Sequence, residues 1–562
     1  MIRAAHQAAT NRNLATHVSP SASSSAAPAR HTHLFLILAT LLCLAPFLNK
    51  AVHVDDYLFI RSAQHIVGHP ADPFGIVVNW NGIDEPLSVV TQNPPLACYY
   101  LAAAGTLLGW GEVPLHMAFL LPAVLAVLGT YVLARDFCAH PIAAAVIMLV
   151  SPVFWVSATT LMCDVSMLAL WLWAVVLWTR GIERDSHLRL ASAAGLVALA
   201  ALTKYFGAAL IPLLLAYTVM KKRWRCWPAL WLFLPLATLA AYDWTTGARY
   251  GIRMISQAAN YAGEHRTQMM VWESILSTMT FAGGGIVALI FFWHRLWHWR
   301  WVPIALAGTT ILGVTLAHLP ILSQRSWGEI AQIALFVSAG LGILALVVHD
   351  WVRCRDRHST LLALWTLGTL VFTGTINWTV NGRSILPLAP AVAILLVRQL
   401  ERRPMPIALR TLWPVGPAAA LGAAVVWADT AFANSTRAAA AELAAQYRPA
   451  RHSTLWFQGH WGFQYYMEQH GAQPFDIAMA PAHLGDHVIL PLHNSSVRRL
   501  TPDWFAQVAR IERPACRWLA TMQLDFGAGF YCHRYGLLPY KFGAVPPQAF
   551  EVWEMRMMPL FR

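Results

Sequence analysis

Residues 33–66 read HLFLILATLLCLAPFLNKAVHVDDYLFIRSAQHI. An apolar run is followed within a few residues by two adjacent carboxylates, Asp55 and Asp56, and then by a pattern that suits a short amphipathic helix. A helix needs ~20 apolar residues to cross the hydrocarbon core of a bilayer, or ~17 at the low end. The run at 33–48 is too long for the h-region of a signal peptide, and no A-x-A cleavage pattern follows it. It therefore reads as an uncleaved first membrane span. The residues before it are polar and low in complexity (SPSASSSAAPAR), with Arg3, Arg12 and Arg30 and no acid, as expected of a disordered cytoplasmic tail over 1–32.

The rest of the chain agrees with that start. Of 562 residues, 57% are hydrophobic and only 12% charged, whereas a soluble chain carries about a quarter charged residues. The 26 Trp suit a protein with two membrane interfaces, where indole rings prefer to sit. The net charge of +13 is not a nucleic-acid footprint, because the basic residues fall in short gaps between apolar runs. The eight Cys show no CxxC and no ligand spacing, so neither a zinc site nor a disulfide framework is implied. Cys516 and Cys532 lie in one polar segment, where an oxidising compartment permits a bridge; two separate thiols are the other reading.

By the length criterion about thirteen spans follow, near 33–50, 113–134, 141–157, 164–180, 188–203, 205–220, 228–245, 272–293, 301–318, 329–349, 359–377, 384–398 and 411–428. With the N-terminus inside, the inner loops hold about twenty Lys and Arg and the outer loops about eight, as the positive-inside rule expects. The expected architecture is an all-α polytopic membrane protein with a span domain over 33–430. It carries a long first outer loop at 51–112 and a small C-terminal α/β extracytoplasmic domain at 431–562. The tail alternates strand-like runs (STLWFQ, DHVIL) with helix-like ones (RAAAAELAAQY, GFQYYMEQHG, TPDWFAQVARI). The first loop holds VDDYLFIRSAQHI and NPPLACYYLAAAG, both read as helices.

Charge within or at the edge of a membrane is costly, so each such residue needs a reason. Five stand out on the outer side: Asp55 and Asp56 after the first span, Asp164 opening the fourth, Lys204 between the fifth and sixth, and Arg383 opening the twelfth. Two or three carboxylates and two cations at one depth suit a reaction between an anionic lipid and a polar acceptor. Each also has a plainer reading. Asp55, Asp56 and Asp164 stand where helix N-caps belong, and Lys204 and Arg383 can snorkel to lipid phosphates. Asn93-Pro94-Pro95 starts a helix and shapes the loop; with Tyr99 it is the candidate substrate cleft. Trp80, Asp84 and Glu85 in the same loop are either cleft-lining or solvated.

DDYLFIRSAQHI resembles the DExxYxxxAxxM-type motif of membrane glycosyltransferases of family 39. That family has the GT-C fold and includes the protein O-mannosyltransferases and the aminoarabinose transferases of lipid A. Asp55 and Asp56 fall on the two acids, Phe59 on the aromatic and Ala63 on the small residue. NPPLACYYLAAAG is similar to the P-P-L-x-x-Y segment of the same loop. RDFCAHPIAAAVIMLVSPVFW resembles the R-x-x-G…S-P-x-F stretch, and Asp164 in LMCDVSML the second acidic position. LVALAALTKYFGAALIP is similar to L-A-x-L-T-K-G, and NGRSILPLAPAVAILL to R-Y-x-L-P-x-x-P-x-x-A-L-L. The chain departs from the pattern at Asp56 (usually Glu), Tyr205 (usually Gly) and Ser384 (usually Tyr).

The resemblance implies a GT-C-like bundle in the plasma (inner) membrane. It implies a polyprenyl-phosphate sugar donor drawn from the lipid bilayer, and a protein, lipid or cell-wall acceptor whose hydroxyl attacks with inversion on the extracytoplasmic side. In that reading Asp55 is the general base, with Asp56 beside it. Asp164 orients the acceptor or, with Asp55, holds a divalent metal ion if one is used. Lys204 and Arg383 bind the donor phosphate. The readings from other classes are a multi-pass transporter or flippase of a lipid-linked or small polar substrate, and a non-catalytic scaffold.

Overall fold

A computed structural model describes residues 29–221, 227–266, 270–320, 322–403, 407–408, 410–447, 453–479 and 482–557. Among these, six helices are long and apolar enough to cross a membrane: Arg30–Phe47, Glu112–Ala134, Asp164–Arg184, Trp327–Cys354, Arg357–Ile376 and Val415–Gln446. A seventh crossing arises if Val271–Gly285 and Ala288–Leu296, bent by 80° at their junction, count as one broken span.

The expected count of about thirteen is thus not reached by length and composition, although every expected span falls on helix. The shortfall has local causes. The segment 141–157 is two short helices, Pro141–Leu149 and Pro152–Ser157. They part at Ser151-Pro152, where proline removes a helical N–H and pushes its predecessor out of the helical region. The expected span 205–220 opens as a tight 3-10 turn, Tyr205–Ala209, before Leu210–Lys221. The segment 384–398 is likewise divided into Gly382–Ile385 and Leu388–Glu401, with Pro387 capping the second piece.

The first loop folds as its sequence expects. Asp56–Gly68 and Leu96–Leu108 are helices, and between them Val77–Asn79 and Asp84–Pro86 form a small antiparallel hairpin. The tail is α/β. Its five-stranded mixed sheet runs in the order Gln473–Pro474, Leu455–Phe457, His487–Pro491, Gln548–Met555, Phe505–Arg513, with helix Trp461–Gln469 beside it.

Two expectations for the tail change. TPDWFAQVARI is not a helix: Phe505–Arg513 is a strand paired antiparallel with Gln548–Met555. Ala509 and Ile511 alternate onto the core side, and cross-strand pairing there outweighs helix propensity. RAAAAELAAQY does not start a separate element either. It continues Val415–Gln446, one helix of 32 residues running from the bundle into the C-terminal region. Cys516 and Cys532 are both free thiols, so no bridge joins them.

One continuous apolar core unites bundle and tail. Leu36 of the first span, Leu168, Leu395 and Leu443 belong to the same buried cluster as Phe463, Phe530, Tyr531 and Phe550 of the C-terminal domain. That shared core fixes the tail against the rim of the bundle where the first loop lies.

Candidate active site

Four of the five charged residues singled out from the sequence converge at this rim, each delivered by a break in regular structure. Asp55 precedes the first turn of helix Asp56–Gly68. Asp164 is the first residue of Asp164–Arg184. Lys204 has extended backbone (φ −153°, ψ 132°) where helix His187–Thr203 ends and the 3-10 turn begins. Arg383 sits in the single turn Gly382–Ile385, whose N-cap Asn381 accepts from Ser384 N at 2.8 Å.

The side chains form an alternating ionic chain. Arg383 Nη2 meets Asp55 Oδ2 at 2.9 Å, and its Nη1 lies 3.9 Å from Asp164 Oδ2. Lys204 Nζ donates to the other oxygen of Asp164, Oδ1. Burial is graded along the chain: Asp164 is 1% exposed, Arg383 13%, Lys204 22% and Asp55 29%. Asp164 Oδ2 and Arg383 Nε have no hydrogen-bond partner among the described residues. Polar atoms kept from water normally find partners, so this cluster holds unused bonding capacity beside three partly accessible ends.

The other sequence candidates surround it with different roles. Asp56 is fully buried. Its oxygens accept from His53 N at 3.1 Å and Leu161 N at 2.8 Å, which staples the start of the loop to the turn before Asp164. Burial pushes the Asp56 carboxyl up to about 7, against the opposing pull of Lys50 and the two backbone N–H groups. Asn93 Oδ1 faces the Cys163 thiol at 3.8 Å, adjacent to Asp164. Pro94 and Pro95 are buried where helix Leu96–Leu108 begins. Tyr99 points elsewhere: its hydroxyl donates to Pro70 O at 2.6 Å and ties the loop to itself. Trp80 stacks between Tyr57 and His460, at 6.1 and 4.9 Å. Asp84 and Glu85 pair within the hairpin, with Asn79 and Asn81.

Asp55 and Asp164 do not fit a divalent-ion site. Both are already matched by cations, whose charge opposes a metal ion at the same place. Among the described residues no group of three or more His, Cys, Asp or Glu is arranged to hold a metal.

A second ionic cluster, not anticipated from the sequence, is joined to the first through Tyr531. Lys50 and Asp429 form a wholly buried pair. Asp429 also accepts from Thr521 Oγ1 at 2.7 Å and Tyr531 Oη at 2.9 Å, while Lys50 also donates to Thr159 at 3.3 Å. Burial and the Asp429 charge raise the Tyr531 phenol well above its ordinary value and keep it a donor. Burial lowers the nearby His53, which leaves that ring neutral. Lys50 closes the first apolar run and Asp429 follows the last one. The rule that flagged Asp164, charge at a span end, applies equally to both.

Comparison with known proteins finds a family likeness over part of the chain. Residues 92–242, which include Asn93, Asp164 and Lys204, match the family described as dolichyl-phosphate-mannose-protein mannosyltransferase. No curated protein matches the sequence significantly. Among solved structures, the chain is similar to ArnT from Cupriavidus metallidurans bound to undecaprenyl phosphate, with 13% identity over 83% of this chain and 94% of that one and a TM-score of 0.43. It is similar to the Archaeoglobus fulgidus oligosaccharyltransferase tethered with an acceptor peptide, with 12% identity over 81% and 65% of the two chains and a TM-score of 0.45. It is also similar to the arabinofuranosyltransferase AftD from Mycobacteria, with 12% identity over 94% and 40% and a TM-score of 0.39. The family match agrees with the resemblance read from the sequence: residues 92–242 are similar to the dolichyl-phosphate-mannose-protein mannosyltransferase family.

Proposed function

We propose that this protein transfers a sugar from a polyprenyl-phosphate-linked donor to an acceptor hydroxyl on the extracytoplasmic side of the plasma membrane, with inversion and with Asp55 as general base. In this reading the N-terminus is cytoplasmic and the C-terminal domain extracytoplasmic. The acceptor is a hydroxyl of a protein, a lipid or a cell-wall polymer. One observation carries the reading: Asp55, Asp164, Lys204 and Arg383, from four separate segments, meet in one partly accessible ionic chain.

The leaving group is a lipid phosphate, already anionic, so it needs cations more than a general acid. Glycoside hydrolases use two carboxylates because their leaving alkoxide must be protonated; here one base suffices. Lys204 and Arg383 bind the phosphate and offset the charge that collects on it as the glycosidic C–O bond breaks. The acceptor oxygen bonds to the anomeric carbon from the opposite face. Its proton passes to Asp55, and the bond pair leaves with the phosphate.

The Asp55–Arg383 ion pair adds an order to these events. A phosphate competes with Asp55 for the guanidinium, for which both offer a bidentate partner. Donor binding thereby frees the Asp55 carboxylate to meet the acceptor hydroxyl at hydrogen-bond distance, which general-base catalysis requires. Asp164, at 1% exposure and paired with both cations, holds the phosphate-binding groups in place rather than touching the acceptor. Asp56, saturated by backbone N–H groups, positions Asp55. Asn93 and the buried Pro94 and Pro95 set the wall of the cleft next to Cys163.

The test is turnover of a labelled polyprenyl-phosphate sugar by purified protein in detergent. The expected result is release of polyprenyl phosphate with the sugar on an acceptor. Intact donor, together with its movement across proteoliposomes, would instead mark a transporter.

A further inference from the structure

One segment of the C-terminal domain, Phe530–His533, runs against the turn that carries Arg383. Gly382 N donates to Phe530 O at 2.7 Å, and His533 N donates to Val380 O at 2.9 Å. Val380 N in turn donates to His533 Nδ1 at 3.1 Å. The approach is close enough that a Cβ on Gly382 would lie 2.5 Å from the Phe530 ring. Phe530 and His533, which bracket Tyr531, are therefore fastened to Gly382 and Val380, the residues on either side of Asn381.

Tyr531 itself is buried, at 2% exposure. Its ring faces the Arg383 guanidinium, with Cζ 5.7 Å from the centroid. Its hydroxyl is anchored on Asp429, which is held by Lys50. Among the described residues the guanidinium thus has four neighbours: Asp55 at Nη2, Asp164 and the Met162 sulfur at Nη1, the latter at 2.7 Å, and the Tyr531 ring. When phosphate displaces Asp55, Asp164, the weakly accepting Met162 sulfur and the ring are left to keep the guanidinium in place, and of these the ring is the contact that the C-terminal domain supplies.

We infer that Tyr531 is a positioning residue for the donor site: it holds Arg383 by its ring face and ties it to the buried Lys50–Asp429 pair, so that bundle and C-terminal domain build the phosphate site jointly. This rests on the assignment of Arg383 to the donor phosphate. A cation–ring contact shielded from water is among the stronger of its kind. Its loss raises the apparent KM for the lipid donor by about five- to thirty-fold and leaves the KM for the acceptor close to wild type.

The experiment compares donor and acceptor KM for wild type, Tyr531→Leu and Arg383→Ala in the full chain. A rise in donor KM alone for both variants is the expected result. Donor KM unchanged in Tyr531→Leu but raised in Arg383→Ala overturns this inference and leaves the donor-site reading intact. No change in Arg383→Ala overturns both. Parallel rises in donor and acceptor KM with a lowered Tm make Tyr531 a core residue only, and overturn the inference. Should Tyr531→Leu not fold, phenylalanines of increasing fluorination at position 531 keep shape while draining the ring's negative face. Donor KM then rises stepwise with fluorine number, relative to Tyr531→Phe; a flat series overturns the proposal.

Discussion

The Lys50–Asp429 pair and the Asp55–Arg383–Asp164–Lys204 chain are neighbours, linked through Tyr531, yet they are finished differently. Lys50 and Asp429 are both 0% exposed, and Asp429 has Lys50, Thr521 and Tyr531 as hydrogen-bond partners. In the other chain Asp164 is as deeply buried, but its partners reach the surface and two polar atoms have no partner among the described residues. Removing two charges from water is costly, and the cost is recovered only where each lone pair and proton is matched. The first cluster comes closer to that condition, with two partners for Lys50 and three for Asp429 from within the protein, and it holds bundle and tail together. The second is left short of partners, and in the proposed function its two cations take the donor phosphate.

The comparison breaks most sharply at Asp55. Asp55→Asn keeps the shape of a partly exposed side chain and removes its basicity. Transfer should fall by about 10²- to 10⁴-fold, the usual range for a lost general base, while expression and membrane insertion stay near normal. A steady-state assay on purified variant checks this, and wild-type turnover would rule out the base assignment.

The buried pair should answer in stability instead. Lys50→Met leaves Asp429 charged and unmatched, at a cost of about 3–5 kcal/mol. The double variant Lys50→Met with Asp429→Leu should recover much of that loss, because no uncompensated charge is left. Denaturant unfolding in detergent measures both; equal destabilisation of single and double variants would contradict the role given to the pair.

Lys204→Ala and Arg383→Ala sharpen the contrast from the other side. Each removes a charge-assisted bond worth about 1.5–3 kcal/mol, so donor KM should rise about ten-fold or more. Stability should move less than in Lys50→Met, because each single variant leaves Asp164 beside the other cation. Unchanged kinetics in both would return them to snorkelling residues. The smallest effect is expected at Tyr99. Tyr99→Phe loses one loop hydrogen bond, at about 0.5–1.5 kcal/mol, and should leave donor and acceptor KM unaltered. A changed KM would put Tyr99 back in the cleft.

These two clusters also mark how far the sequence can be read. Asp55, Asp164, Lys204 and Arg383 were legible because charge at a span end is rare and because each lies in a motif of fixed order. Their mutual pairing was not, since it depends on where four chain breaks meet. Lys50 and Asp429 are as conspicuous in composition, but no local motif joins residues 379 positions apart. Single helices of spanning length do not account for all the expected spans, because prolines such as Pro152 and Pro387 divide apolar runs that hydropathy reads as whole. In the tail, Phe505–Arg513 carries enough helix formers to look helical, and only its partner strand Gln548–Met555 decides otherwise.

The claim that the open ionic chain is the donor-phosphate site is tested most directly by the affinity of a free polyprenyl phosphate for the protein in nanodiscs. Wild type and the Lys50→Met/Asp429→Leu variant should bind it alike, whereas Lys204→Ala/Arg383→Ala should bind at least about a hundred-fold more weakly. Equal binding by wild type and the Lys204→Ala/Arg383→Ala variant would contradict the account.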